Sequence, residues 1–361
     1  MSVFPSSRRS IVATLALAAV LFAGIATPAV AADDPLTDAF SQEPAVVELA
    51  AFPNGVTRLS GANRYATAVE ISKAAFDPGV ELVLIANGTR FPDALSGAPV
   101  AGTFGAPILL VTASGIPEPV KKELGRLKPK LIVVLGGTGV VSDGVLRQLE
   151  GYATDGVDRI GAGDRFATSA QIAEIVWAQN PPDVLYVANG MTFPDALAAG
   201  PAAGIDQVPL LLVQKNAIPA AIRARLQAIK PKVIAVMGGT GAVSATVFNQ
   251  LKAIASQGVI RVEGKDRFDT AVNLSSQFWQ GVPTSTVFIS SGMQFPDALA
   301  IAPVAAGVDG PLLLVKRDSI PESVKSELRA RAPQRIVIVG GSSAVSAAVQ
   351  AELKQYIVPA P

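Results

Sequence analysis

The chain repeats its own sequence three times, and this repetition limits its possible folds more than any other feature. The strings RLSGANRYATA, RIGAGDRFATS and RVEGKDRFDTA begin at Arg58, Arg159 and Arg261. Two further strings recur at steps of 102 residues, FPDAL at Asp93, Asp195 and Asp297 and a Gly-Gly pair at Gly136, Gly238 and Gly340. Such constant offsets indicate three copies almost without gaps, and this period is too long for a solenoid repeat. We therefore predict that each copy forms a small domain.

The local pattern within the first copy alternates between helix and strand. The apolar runs 82–86, 108–111 and 131–135 are typical of buried strands, and 157–160 leads into the next copy. Helices are predicted after the N-cap residue Asn63, near Pro92, near Pro117 and after the cap Ser142. Strands that are apolar on both faces and alternate with helices indicate a parallel sheet covered on both sides. The predicted fold class is α/β, with three tandem Rossmann-like modules.

The first 32 residues are organised like a secretory signal peptide. Arg8 and Arg9 give a positive start, residues 11–25 form an uncharged apolar run, and Ala29-Val30-Ala31 supplies a cleavage site. The arginine pair also fits a twin-arginine signal, so the export route stays open. We predict a signal peptide at 1–32, a tether at 33–54 and modules at 55–156, 157–258 and 259–358. After cleavage we expect an exported protein without a membrane span.

The composition excludes several classes of function. The sequence contains no Cys and no His, which rules out disulfides, Ser–His–Asp triads and imidazole metal ligands. We therefore expect neither a bound metal nor a cofactor. Cleavage of the signal would leave 28 basic and 29 acidic residues, and a protein without a broad basic field is a poor candidate for nucleic-acid binding.

A Gly-Gly turn closes the third predicted strand of each copy. Backbone N–H groups and a helix N-terminus at this place in an α/β protein can hold an anion. No phosphate-binding glycine motif follows, so a tight turn with Ser142 as the helix cap is the alternative interpretation. The candidate residues are Gly137, Thr138, Gly239, Thr240, Gly341 and Ser342.

Recurring charged residues supply the other candidates. Asp93, Asp195 and Asp297 suit a first helical turn, where the helix dipole favours a negative charge, but a ligand or interface role is equally open. Each copy also has two arginines six residues apart, at Arg58 and Arg64, Arg159 and Arg165, and Arg261 and Arg267. Guanidinium groups suit phosphate or carboxylate ligands. The alternative is that each arginine pairs with the aspartate of a neighbouring domain and clamps the copies together.

The repetition itself favours binding over catalysis. No pair of carboxylates recurs at a fixed spacing in all copies, so a two-carboxylate glycosidase has no candidate residues. Several weak sites on one chain raise retention on a repeating polymer by about 10²–10⁴. Two rivals stay open. The first is a hydrolase that uses one of the three aspartates with Tyr or Lys, and the second is a surface scaffold that binds another protein.

The recurring strings resemble the cell wall binding repeat 2 family. The resemblance rests on the R-Φ-x-[GA]-x-[ND]-R-[FY]-x-T opening, the FPDAL segment, the PILLV or PLLLV strand and the VVLGG-type strand end, and it covers about residues 56–358. It implies Gram-positive surface proteins held non-covalently on the wall by three α/β modules around a pseudo-threefold axis. It also implies that the modules grip anionic wall polymer or peptidoglycan.

Two further points concern this resemblance, the leucine-rich strand and the segments beside the repeats. The family links its leucine-rich strand to anchoring, and here that strand corresponds to 108–110, 210–212 and 312–314, which we interpret as core positions needed for folding. Family members often join the repeats to an amidase, protease or adhesin domain. Here we find only a tether before the repeats and about three residues after Val358. We therefore expect a secreted, non-enzymatic anchor at the cell wall, and the rival hydrolase would then be a wall-modifying one.

Overall fold

The computed structural model of the protein describes residue 40 and residues 52–359, except for residues 91, 193, 283 and 295. The predicted signal peptide lies outside the described residues, and so does most of the predicted tether. Phe40 and Phe52 from the tether are described, and both contact the body of the protein. The Phe40 ring lies 5.0 Å from that of Phe104, and the buried Phe52 ring meets Phe288 edge-on at 5.7 Å.

Strands and helices alternate through the described part of the chain. The strands are β1 (Gly55–Leu59), β2 (Leu82–Asn87), β3 (Ile108–Val111), β4 (Leu131–Leu135), β5 (Gly156–Ile160), β6 (Val184–Asn189), β7 (Leu210–Val213), β8 (Val233–Met237), β9 (Gly258–Val262), β10 (Thr286–Ser291), β11 (Leu312–Val315) and β12 (Arg335–Val339). The helices are α1 (Arg64–Ala75), α2 (Pro92–Thr103), α3 (Glu118–Leu127), α4 (Asp143–Leu149), α5 (Arg165–Trp177), α6 (Pro194–Ile205), α7 (Ala220–Ile229), α8 (Ala245–Lys252), α9 (Arg267–Phe278), α10 (Pro296–Gly307), α11 (Glu322–Arg331) and α12 (Ala347–Leu353).

The strands form three parallel four-stranded sheets, which confirms the predicted α/β class and the three modules. Their orders are β3-β2-β4-β5, β7-β6-β8-β9 and β11-β10-β12-β1. The inner strands are buried on both faces because helices cover both sides of each sheet. The leucine-rich strands β3, β7 and β11 are at most 2% exposed, as expected for core positions.

The fourth strand of every sheet comes from the next copy. β5 begins the second copy but pairs with β4 of the first, with Ile160 opposite Leu135. β9 joins the second sheet in the same way. β1, the first described strand, pairs with β12 in the last sheet, with Leu59 opposite Val339. The three sheets are therefore linked in a closed ring.

Side-chain caps fix where the helices begin. Asn63 accepts hydrogen bonds from the backbone N–H groups of Tyr65 and Ala66, and aspartates cap α5 and α9 at the equivalent positions. Ser142 caps α4, and serines cap α8 and α12 likewise. These interactions satisfy N–H groups that have no partner inside the helix. The N-caps predicted at Asn63 and Ser142 are confirmed.

The helices α2, α6 and α10 pack against one another at the centre of the molecule. Small residues make this contact possible, because a Cβ added at Gly102 would lie only 2.9 Å from the Cα of Gly204 and 3.0 Å from the Cβ of Ala306. These positions are 102 residues apart, so equivalent points of the three copies meet. The arrangement has the pseudo-threefold symmetry that the family resemblance implies.

No described helix combines the length and the apolar character that crossing a membrane would require.

Candidate functional site

The sheet order places two loops of each module side by side. From β2 the chain continues to β3 on one side, and β4 then lies on the other side of β2. The carboxyl ends of β2 and β4 therefore flank the point where the strand order reverses, which is where open α/β sheets bind ligands. The loop after β2 leads to Asp93 and the loop after β4 contains Gly136. Two motifs separated in sequence thus meet at one edge of the sheet.

The aspartate and the first glycine of the turn are in close contact. Asp93 lies in the first turn of α2 and is 5% exposed. A Cβ added at Gly136 would lie 2.5 Å from the Oδ2 atom of Asp93. Gly136 also has φ of +97°, a backbone conformation that favours glycine. Gly238 with Asp195 and Gly340 with Asp297 repeat this contact. The first glycine is therefore needed both for the backbone and for room beside the carboxylate.

Each aspartate also faces the module that follows it around the ring. Asp93 is hydrogen-bonded to Thr168 and lies near Arg165 of the second copy. Asp195 meets Thr270 and Arg267, and Asp297 meets Thr67 and Arg64, which closes the cycle. We name these contacts junctions 1, 2 and 3 after the copy that supplies the aspartate.

The threonines of the junctions end the recurring opening motif but were not among the candidate site residues predicted from the sequence. The hydroxyl of Thr67 also accepts the backbone N–H of Gly61 at 3.1 Å, and Thr168 and Thr270 accept equivalent N–H groups at 3.1 Å. Each threonine therefore ties the start of its helix to the loop before it and to the aspartate. The signal was present, because the threonine recurs three residues after the second arginine in every copy.

Burial governs the protonation of the aspartates. It raises the pKa of Asp93 and Asp195, while the neighbouring arginine and threonine act in the opposite direction. Burial also raises the pKa of Asp297, to about 6, against the opposing influence of Arg64 and Thr67. Desolvation disfavours the charged form of a carboxyl group, and the partners offset only part of that effect.

The second arginine of each pair bridges two modules. The Nη1 atom of Arg64 donates to the carbonyl of Gly88 in its own module at 2.6 Å, while the guanidinium acts electrostatically on Asp297 of the third copy. Arg165 and Arg267 donate to Gly190 and Gly292 at 2.8 and 2.7 Å. The proximity of this arginine to the aspartate of a neighbouring module is what the clamp alternative expects for the second arginine of each pair. A role in polymer binding stays a prediction.

The first arginine of each pair holds the Gly-Gly turn of the preceding sheet. Arg58, Arg159 and Arg261 donate through Nη1 to the carbonyls of Gly340, Gly136 and Gly238 at 2.6, 2.7 and 2.6 Å. Burial lowers the pKa of Arg58 and of Arg261. Both arginines of a pair are thus held in fixed positions beside one turn.

The outer part of the turn is accessible. Gly137 is half-buried and Thr138 is exposed, and the same holds for Gly239 with Thr240 and for Gly341 with Ser342. Among the described residues, the N–H groups of 137–139 form no backbone–backbone hydrogen bond. Such a run of N–H groups beside guanidinium groups can accept an anion.

Two exposed methionines in the loops after β6 and β10 were also missed from the sequence. Met191 and Met293 are 58% and 61% exposed and occupy equivalent positions in the second and third copies. Single exposed apolar side chains are common on protein surfaces, so the repetition at equivalent positions is what marks these two. Their spacing of 102 residues was the available signal.

The described residues contain no group of three or more acidic side chains placed to hold a metal ion. Each junction instead offers arginine donors, a threonine hydroxyl, a largely buried carboxyl and an accessible turn.

The fold and the junctions together define a class of protein. Its members are closed rings of three α/β modules, and each ring presents the same kind of junction three times. The sequence matches the family described as Cell wall binding domain 2 (CWB2) over residues 58–146, 159–248 and 261–350. The chain belongs to this family and carries three cell wall binding domains.

Two curated relatives come from Bacillus subtilis (strain 168). The chain is 31% identical over 308 residues to N-acetylmuramoyl-L-alanine amidase LytC, a match that covers 84% of this chain and 59% of the relative. It is 29% identical over 296 residues to the protein named Amidase enhancer, covering 82% of this chain and 40% of that protein. The chain therefore spans about half the length of these relatives.

Two solved structures from Clostridium difficile share the fold. Cwp6 superposes with a TM-score of 0.79 at 30% sequence identity, over 84% of this chain and 48% of Cwp6. Cwp8 superposes with a TM-score of 0.75 at 26% identity, over 85% of this chain and 53% of Cwp8. The similarity in each case extends across nearly all of the described modules.

Proposed function

We propose that the protein is exported and attaches non-covalently to the cell wall by gripping phosphate or carboxylate groups of an anionic wall polymer. The observation that carries this proposal is the threefold repetition of one junction. Each copy of the junction sets two fixed guanidinium groups beside an accessible turn at the carboxyl edge of a sheet.

Fixed arginines suit such a ligand. A guanidinium group carries five N–H donors, and the contacts to backbone carbonyls use only part of this capacity. Because the side chains are already ordered, little conformational entropy is lost when an anion binds.

Three equivalent junctions suit a long, repeating ligand. A polymer bound at one junction is held at high effective concentration near the next, so weak individual sites can retain it together. This supports a wall polymer over a small soluble anion. It also explains why one arrangement is maintained in three copies of the sequence.

The proposed role of the chain is attachment without catalysis. A sequence with no His and no Cys lacks the usual zinc ligands and nucleophile–base pairs. The similarity to the amidase LytC covers 59% of that protein and falls on a chain made largely of the three binding domains. A hydrolase is the second candidate, favoured by the carboxyl of Asp297 with its pKa raised to about 6.

Co-sedimentation of the full chain with purified cell walls tests the proposal. We expect the protein to pellet with intact walls and to stay in the supernatant once the anionic polymer has been stripped. Unchanged pelleting with stripped walls would contradict the polymer assignment. Release of soluble wall fragments by the pure protein would support the hydrolase, and capture by polymer-free cells would support a protein scaffold.

A further inference from the structure

The three junctions share their framework but differ in charge, and two of the differing positions place a charged side chain against a Gly-Gly turn. One position is the third residue before the aspartate, and the other is the second residue after the first arginine of each pair. The first position is Arg90, Thr192 and Gln294, and the second is Gly161, Glu263 and Ser60, for junctions 1, 2 and 3 respectively. Junction 1 thus has an additional cation, and junction 2 has an additional carboxylate.

Arg90 reaches the Gly-Gly turn of junction 1. Its exposed side chain donates from Nη1 to the carbonyl of Gly139 at 3.1 Å, and its charge acts on Asp93. Arg159 and Arg165 approach the same turn and aspartate from the second copy. Junction 1 therefore brings three guanidinium groups together, whereas each of the other two has a neutral side chain in place of Arg90.

Glu263 occupies the corresponding turn of junction 2. Its Oε2 atom lies 3.1 Å from the position of a Cβ added at Gly239, and 4.0 Å from Nε of Arg261. The side chain is 49% exposed, and its backbone carbonyl accepts a hydrogen bond from Asn273 at 2.6 Å. A carboxylate of the protein thus already lies between the turn and the arginine, where an anionic ligand would have to bind.

The other turns have no carboxylate against their second glycine, although Asp143 lies 3.2 Å from Nη2 of Arg159 in junction 1. The nearest atom to a Cβ added at Gly137 is the backbone carbonyl of Ala162 at 3.4 Å, and at Gly341 it is the hydroxyl of Ser343 at 3.9 Å. The two open turns therefore differ from the turn of junction 2 in charge as well as in sequence.

We infer that the three junctions are unequal, with Arg90 as the specificity-determining residue of junction 1, where it adds a third guanidinium, and with Glu263 closing junction 2 to polyanions. This inference rests on the proposed function and extends it to one class of ligand, a polymer charged through phosphodiesters. The two non-bridging oxygens of a phosphodiester match the fork of a guanidinium, and three converging guanidiniums compensate its charge.

Binding of the full chain to poly(glycerol phosphate), with polyglutamate as a phosphate-free comparison, tests this inference. The variants are Arg90→Gln, which introduces the residue type of junction 3, and Glu263→Gln, which removes charge at nearly constant size. The matched controls are Arg147→Gln in the last turn of α4 and Glu118→Gln in the first turn of α3, both at exposed positions.

We expect Arg90→Gln to weaken binding of poly(glycerol phosphate) about fivefold, as for loss of one charge-assisted contact. Glu263→Gln should strengthen binding about threefold, since a repelling carboxylate is removed from one of three sites. The controls should differ from the wild type by less than about 1.5-fold at the same ionic strength, because isolated exposed charges are screened. Circular dichroism of all variants should match the wild type.

Two results would overturn the inference while leaving the proposed function intact. In the first, the wild type binds poly(glycerol phosphate) but Arg90→Gln and Glu263→Gln behave like their controls. In the second, polyglutamate binds more tightly than poly(glycerol phosphate). A wild-type chain that binds neither polyanion nor intact walls would overturn the proposed function itself.

Discussion

Burial and a neighbouring guanidinium act on Asp297 in opposite directions, and burial has the larger effect. The pKa is raised to about 6, and one oxygen of the carboxyl, Oδ1, has no hydrogen-bond partner. Such a group binds a proton more tightly in the folded state than in the unfolded state. Its contribution to stability is therefore largest below about pH 4 and is lost as the pH rises through about 6.

This linkage predicts the effect of Asp297→Asn. The wild type should gain up to roughly 1.4 kcal/mol in free energy of unfolding between pH 7.5 and pH 5 from this group, and the variant should lack that gain. Urea unfolding at the two pH values measures the difference. Asp318→Asn, at an exposed carboxylate paired with Arg317, is the control and should keep the wild-type pH dependence. Equal pH dependence in all three proteins would contradict the prediction.

Several candidate site residues were predictable one by one from the sequence. The aspartates, both arginines and the Gly-Gly turns recur in every copy, and the structure places them all at the junctions. Thr67 and its equivalents were missed because a threonine within a helix has many ordinary roles. The partner of each aspartate was not predictable either, because local sequence does not show which neighbouring module faces the carboxyl group.

At the scale of elements, the central helices depend on residues with almost no side chain. α2, α6 and α10 pack most closely where Gly102 and Gly204 meet Ala306. Glycine within a helix costs stability relative to alanine, so its presence here indicates that close approach of the backbones outweighs that cost.

The same Gly→Ala change should have opposite effects in two helices. Gly204→Ala in α6 places a methyl group 2.9 Å from the Cα of Gly102, and we expect a loss of about 1–3 kcal/mol in the free energy of unfolding. Gly125→Ala in α3 meets no atom within 4 Å, and we expect a gain of about 0.5–1 kcal/mol from helix propensity. Urea unfolding of both variants measures the difference. A stabilised Gly204→Ala variant would contradict the claim that the central helices need glycine for their close packing.

Most elements could be predicted from the sequence because burial and capping are local signals. The runs at 108–111 and 131–135 are strands with the predicted bounds, and the predicted helix near Pro117 begins at Glu118 with Pro117 as its N-cap residue. The close packing of the central helices was less apparent. Alanine and glycine in a helix are compatible with many kinds of packing, so their pattern alone does not identify a shared axis.

At the scale of the whole molecule, the ring is closed where the first described strand, β1, pairs with the last one, β12. β5 and β9 enter sheets built by the copy immediately before them, whereas β1 completes the sheet of the last copy. Around this closure, Arg58 donates to Gly340 and Gln350, and Arg64 faces Asp297. Without β1, the edge of β12 would be unpaired.

Removal of β1 should therefore weaken the third module most. A chain beginning at Ser60 should melt roughly 5–10 °C below a chain beginning at Phe52, because it loses a paired strand and the buried Phe52. Tryptophan fluorescence locates the effect, since Trp177 lies in the second module and Trp279 in the third. Each can be followed alone after the other is replaced by Phe.

The expected order of unfolding provides the check on this prediction. In the shortened chain, Trp279 should report unfolding at a lower temperature than Trp177, whereas the longer chain should show one common transition. Coincident and unshifted transitions in both chains would mean that β1 adds little to the third sheet.

The sequence by itself determined that this protein consists of three similar α/β units with buried parallel strands, capped helices and a recurring set of Arg, Asp and Gly-Gly. These features follow from hydrophobic periodicity, caps and internal repetition, which act over short distances along the chain. Only the tertiary structure decided that each sheet borrows a strand from the next copy and that each aspartate meets the arginine and threonine of its neighbour. The copies present almost the same strand edges and loops, so local sequence fits several pairings equally well. Closure of the ring around the central helices selects one of them.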